Sequence, residues 1–443
     1  MSYLDNLLFA ILLGIGIGYF SINVRKLIRN IKLGQDVDRS DNPSARWGNM
    51  ALIALGQSKM VKRPIAGFLH IIVYAGFVII NLEVLEIIID GLFGTHRVLS
   101  FMGGFYDFLI GSFEVLALLV LVSVIIFLVR RNVIKLKRFI HADLKGWPKS
   151  DANYILYFEI VLMSLFLLMN AADFHLQNLP EHFGHYSKAG AFPVSQYIAP
   201  IFDGMDSSLV SMLERSFWWL HIAGILVFLN YLYFSKHLHI LLAFPNTYYA
   251  DLNAKGKFNN LESVTNEVKL MMDPNADPFA APANPDAAPA KFGASDVQDL
   301  NWVQLLNAYT CTECGRCTSA CPANITGKKL SPRKIMMDTR DRLEEVGRNI
   351  DANKGVFVPD NKTLLNDYIT PEELWACTTC NACVEECPVN ISPLSIIMDM
   401  RRYLVMEQSA APMSLNAMMT NVENNGAPWP YNQMDRLNWK EEN

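Results

Sequence analysis

Cys311, Cys314, Cys317 and Cys321, followed by Pro322, spell C-x2-C-x2-C-x3-C-P, and Cys377, Cys380, Cys383 and Cys387, followed by Pro388, spell it again. These eight are all the cysteines of the chain. Thiolates at steps of three wrap a loop around one face of an iron-sulfur cubane, while the fourth, launched in another direction by the proline, reaches a neighbouring cluster. The spacing therefore predicts two [4Fe-4S] clusters with exchanged ligands. One is expected on Cys311, Cys314, Cys317 and Cys387, the other on Cys377, Cys380, Cys383 and Cys321. A zinc site would use two C-x2-C knuckles and leave the third thiolate and the proline without a purpose.

Histidines in apolar sequence are the second set of residues able to do chemistry, because polar groups inside a membrane are costly and face the interior of a bundle. His70 and His239 are expected at one depth near the inner surface, on facing helices, which makes them the axial pair for a haem b. His221 lies 18 residues before His239. On one continuous helix that is five whole turns, so the two point the same way at ~27 Å separation, and His237 is turned to nearly the opposite face. A second haem would use His221 near the outer surface. Ile80, ten residues after His70, cannot ligate, so His175 is the partner available to it. Glu83 and Glu86 are intramembrane carboxylates that could relay protons at a quinone site, or interfacial acids reaching for water. His175, His182 and His185 form either an outer metal site or a polar loop.

The elements that must position these residues follow from composition. Of 443 residues 51% are apolar and 18% charged, and the apolar ones crowd into the first 245 positions. Five stretches can cross a hydrocarbon core, near Leu7 to Val24, Ile65 to Ile89, Phe108 to Val129, Tyr154 to Ala172 and Phe217 to Leu242. The first is read as a retained span, since its basic residues follow the apolar run and no small-residue cleavage site is present. Lys and Arg number nine from Val24 to Arg63 and seven from Arg130 to Lys149, against Arg97 alone after the second span. The positive-inside rule then puts the N-terminus outside and everything after the fifth span in the cytoplasm, in an inner membrane. There the cysteines stay reduced, which favours metal ligation over disulfides. A net charge of -5 and the lack of a basic stripe argue against nucleic acid.

Past the membrane part (1–245) a connector (246–298) contains the Ala/Pro/Asp-rich run 273–295, a linker by composition. A helical module (299–408) carries an internal repeat, because SPRKIMMDTR (331–340) and SPLSIIMDMR (392–401) each follow a cysteine run. In both, Ser before Pro is an N-cap and first-turn pair. The tail (409–443) places Trp429, Tyr431 and Trp439 among Pro, Gly and Asn without helical period. The predicted fold class is all-α: a five-helix transmembrane bundle plus a cytoplasmic α-helical dicluster ferredoxin domain.

The stretches GFLHIIVYAGF (67–77) and LHIAGILVFLNYLYFSKHLHI (220–240) resemble the dihaem gamma subunit of respiratory nitrate reductase, a five-helix membrane protein. His70, His221 and His239 match three of its four haem-ligand positions, and Ile80 stands at the fourth. Residues 311–402 resemble the two-cluster iron-sulfur subunit of heterodisulfide reductase and related membrane oxidoreductases. The combination implies a quinone-linked iron-sulfur oxidoreductase subunit, catalytic within a complex, that passes electrons between membrane quinone and a cytoplasmic partner through haem b and two [4Fe-4S] clusters. The tail resembles a segment that leads, in fused relatives, into a cysteine-rich catalytic domain, so a separate cysteine-rich subunit like that of heterodisulfide reductase is the expected partner. A redox sensor or assembly subunit without quinone turnover is the alternative. A transporter is disfavoured by the lack of an inverted repeat or broken helices.

Overall fold

The computed structural model describes residues 3–179, 186–275 and 291–441. His182, His185 and residues 276–290 of the linker lie outside the described residues. Among the described residues there is no strand, only two isolated bridges, and five helices are long and apolar enough to cross a membrane. The chain is an all-α membrane protein. Its spans are Tyr3–Ile31, Pro64–Phe93, Gly104–Asn132, Trp147–Gln177 and Ser207–Leu232.

Local chemistry sets their ends. Proline occupies the first turn of the second and fourth spans, where its missing N–H costs nothing. The second span stops at Gly94, a left-handed C-cap with φ 72°. The fifth differs from its sequence reading at both ends. It starts ten residues earlier than Phe217, at an Asp206 cap that accepts the Ser208 N–H, and it stops at Leu232. There Tyr231 donates to Asp151 of the fourth span at 2.6 Å, and the same carboxylate accepts the Lys236 N–H. Ser235 then accepts the His237 N–H. This tie turns the chain, and a separate helix, His239–Tyr248, follows. Five continuous turns between His221 and His239 therefore do not exist. His221 lies at mid-depth, fourteen residues into its span, and not near the outer surface.

The described residues form three apolar cores, the smallest around Leu176, Phe202 and Val210; the other two are larger. One fills the half of the bundle away from the cysteines, around Phe9, Ile80, Tyr106, Phe166 and Trp218. The other is shared: Leu27, Ile155 and Phe228 of the spans pack with Leu305, Ile335 and Met400 of the cysteine module. The module is thus docked on the bundle, and polar ties reinforce the dock. Arg29 and Lys26 pair with Asp351, Asn30 donates to Tyr309, Arg63 pairs with Glu386, and Arg333 pairs with Asp143. Both basic connections, after the first and third spans, lie at this end. The module also takes in part of the presumed linker, since Ala294, Val297 and Leu300 are buried in its core.

Candidate functional site

Each cysteine run folds in the same way. The residues two and four places after the first cysteine have positive φ in both copies: Glu313 and Gly315 in one, Thr379 and Asn381 in the other. Such left-handed turns are costly for Glu and Thr, and their recurrence in register marks a constraint on the loop. A five-residue helix follows each turn, Arg316–Ala320 and Ala382–Glu386, carrying the third cysteine. The fourth cysteine, Cys321 or Cys387, is the extended residue that caps it. Helices Pro332–Ala352 and Pro393–Met406 then begin with the expected caps, Ser331 accepting the Lys334 N–H and Ser392 the Ser395 N–H.

Two cavities lie between the loops. Cys311, Cys314, Cys317 and Cys387 line one, and Cys321, Cys377, Cys380 and Cys383 line the other, with Cys383 also bordering the first. Among the described residues no three His, Cys, Asp or Glu side chains converge as ligands of one ion. Thiols that surround a void suit a cubane, whose ligands sit at its separate corners. Burial pushes the Cys311 and Cys383 thiols up to about 12 and Cys387 up to about 11, so a bound metal centre is what would hold them as thiolates. The Ile391 and Thr379 N–H groups point at the sulfurs of Cys387 and Cys377, at 3.3 and 3.4 Å. Cys380 is the exposed cysteine of the eight.

The cavity of Cys311 faces the membrane part. Buried Arg316 donates to the Lys59 and Met60 carbonyls, at 2.9 and 3.3 Å, and its charge reaches both Cys314 and His70. Glu313 is clasped by Lys236 and Arg340. Three histidines gather here. His239 is within electrostatic reach of His70, His237 is within reach of both, and the His237 and His239 rings are 5.4 Å apart. His239 Nδ1 is 3.0 Å from the Lys236 carbonyl, which leaves Nε2 for a ligand, the orientation usual in metal-bound histidine. His70 Nδ1 is buried without a hydrogen-bond partner. His237 instead turns Nε2 toward Glu159 at 4.0 Å. This donor set fits a haem held by His70 and His239.

The structure does not bring His175 to His221. The His221 ring packs at 5.8 Å on Phe166, whereas His175 lies nine residues further along the same helix, ~13 Å away in rise, against Phe202 and Asp203. Glu83 and Glu86 enter a polar network at the far end of the bundle whose hub is Arg97, the lone Lys or Arg after the second span. Arg97 binds Asp173, Asn170 at 3.0 Å and Tyr106 at 3.2 Å, and its backbone N–H reaches Asp90 at 2.7 Å. Glu86 accepts from the Leu99 N–H and from Tyr106, both at 2.9 Å. One Glu83 carboxylate oxygen is buried with no hydrogen-bond partner. A lone Arg beside four acidic residues of the second and fourth spans was the available signal.

Residues 310–391 match the 4Fe-4S dicluster domain family. The chain is 30% identical, over 98% of its length and 61% of the relative's, to the probable iron-sulfur-binding oxidoreductase FadF of Bacillus subtilis. It is 28% identical, over 92% of its length and 55% of the relative's, to the EtfAB:quinone oxidoreductase of Syntrophomonas wolfei. A stretch covering 24% of the chain is 33% identical to a component of the ferredoxin/F420H2-dependent CoB-CoM heterodisulfide reductase of Methanosarcina acetivorans, over 52% of that relative. The chain thus spans about three-fifths of the length of the first two relatives. No solved structure matches it. The chain is a homologue of iron-sulfur oxidoreductases, and its module is a dicluster ferredoxin domain on a membrane anchor.

Proposed function

We propose that this protein is a membrane electron-transfer subunit that passes electrons between membrane quinone and a cytoplasmic redox partner. The bound clusters and haem b supply one-electron oxidation and reduction. The observation that carries the reading is the docking of the dicluster module on the membrane histidines, where Lys236 lies between Glu313 of the first cysteine loop and His239.

The ligand sets are those of the two cavities. Cys311, Cys314, Cys317 and Cys387 hold the cluster nearer the membrane, while Cys377, Cys380, Cys383 and Cys321 hold the one nearer the surface, where exposed Cys380 is open to a partner. His70 and His239 hold haem b. Glu83 and Glu86 serve as proton carriers at the far end, a reading supported by the unpartnered Glu83 oxygen beside the Arg97 network. The two basic connections support, by the positive-inside rule, a module end in the cytoplasm and an N-terminus outside, in an inner membrane. Homology to heterodisulfide reductase components supports a cysteine-rich redox protein as the partner, and the name of the Syntrophomonas relative puts EtfAB beside it as the second protein to test.

The experiment is a redox titration of the purified protein, optical for haem and by EPR for clusters, combined with reduction by a menadiol. Quinol-dependent reduction of the clusters is expected. Stoichiometric zinc without labile sulfide, or clusters that never exchange electrons with quinol, rejects the proposal in favour of a sensor or assembly role. His70→Ala and His239→Ala should each remove the b-type absorbance. If His237→Ala removes it and His239→Ala does not, the axial assignment passes to His237.

A further inference from the structure

We propose that a slot at mid-depth between the second, third, fourth and fifth spans binds the quinone headgroup, with His221 hydrogen-bonding one carbonyl oxygen and Glu159 serving the other. The inference rests on the quinone-linked reading above and gives it a site. The slot walls are apolar, formed by residues such as Ile80, Val120, Met163 and Ile225, and its polar groups are Asn81, Glu159 and His221. His221 is 2% exposed and its Nδ1 has no hydrogen-bond partner, and Glu159 is 8% exposed with the His237 Nε2 at 4.0 Å. Buried donors and carboxylates left in this condition are expensive, and a native fold keeps them where a ligand or a reaction uses them.

The shape of the site points to a lipid-borne ring. Phe77 is 40% exposed and Asn81 is exposed on the same face of the second span, so the slot opens sideways into the bilayer, where quinones reside. A quinone ring has apolar faces for the walls and two carbonyl oxygens on opposite edges for the polar groups. None of His70, His237 and His239 lines the slot, yet Phe228 both lines it and packs at 5.5 Å on the His237 ring. The headgroup site is therefore beside the three histidines and distinct from them. At this depth the resemblance to a dihaem subunit would place a second haem. Here Ile80 faces the slot in place of a ligand, and His175 is remote.

Reduction of quinone to quinol converts both C=O groups to C–O–H and takes two electrons and two protons. The electrons come singly from the chain's own one-electron centres. Glu159 as the carboxylic acid delivers one proton and His221 as the imidazolium delivers the other from Nδ1, leaving a carboxylate and a neutral ring. In quinol oxidation the same groups take the protons up.

The test uses the full chain in membranes, a photoreactive azido-naphthoquinone as probe, and mass spectrometry to map the adduct. Label is expected on residues 73–84 or 221–228, lost in the presence of excess menadione. His221→Leu and Glu159→Gln should each raise KM for menadiol about tenfold, the effect of one buried hydrogen bond left unmade, with haem absorbance and cluster EPR unchanged. Competed label elsewhere, or a b-type band lost with His221→Leu, would overturn the site while leaving the function standing. If the unmodified protein passes no electrons from menadiol to its clusters, the function itself fails and the site with it.

Discussion

Cys387 lines a cavity with Cys311, Cys314 and Cys317, although the chain returns to it only after the whole Pro332–Ala352 helix. This exchange makes a residue-level prediction that a local ligand set would not. Cys387→Ser should abolish the EPR signal of the cluster on the first loop while sparing most of the one on Cys377 and Cys380, and iron analysis should fall from about eight atoms toward four beyond haem iron. A second prediction concerns Arg316, 4% exposed and within reach of Cys314. A nearby cation favours the reduced, more negative cluster. Arg316→Gln should therefore lower the midpoint potential of that cluster by roughly 50 mV, about 1 kcal/mol for one electron beside one charge, as read in an EPR-monitored titration.

Among the elements, the short connection after the third span has the most exacting role. Its Asp143 accepts from Ser331 at 2.7 Å and pairs with Arg333, which is 1% exposed, so it fixes the start of the Pro332–Ala352 helix against the membrane end. Burial alone would raise the Asp143 pKa, but the Arg333 hydrogen bond and charge outweigh it and hold the carboxyl below the usual carboxylate range. A depressed folded pKa stabilises above the unfolded value, near ~3.9, and the contribution fades as pH falls through the folded value. Asp143→Asn should cost about 3 kcal/mol at neutral pH by leaving a buried cation unpaired. In denaturation measured from pH 7 to pH 3 the gap between the two proteins should hold steady to about pH 4 and narrow below it.

At the scale of the whole molecule, the shared core means that the dicluster module and the bundle unfold together, while the tail stands apart. Its helix Met413–Asn425 has no buried residue, and Tyr431 and Trp439 are 67% and 69% exposed. Exposed aromatics of this kind anchor protein partners. Deleting residues 424–443 should leave haem absorbance and cluster EPR intact and weaken binding of the proposed redox partner at least tenfold, measured by co-purification from membranes and by titration. Unchanged binding would assign the docking to the surface around Cys380 alone.

Spacing in the chain was enough for the dicluster domain, because three-step thiols and a trailing proline impose local geometry wherever they occur, and hydropathy was enough for five spans, because the cost of bare backbone in lipid is a property of each segment. The Ser-Pro helix starts were legible for the same reason: a cap is made within four residues. What depended on distant residues was not. The fifth span ends at Leu232 because Asp151, on another helix, holds Tyr231 and Lys236, and no apolar period along residues 217–242 could announce it. The gathering of His70, His237 and His239, the remoteness of His175 from His221, and the Arg97 network are likewise set by helix packing. That register is decided by which side chains of neighbouring helices fit together, and it exists only once the tertiary structure has formed.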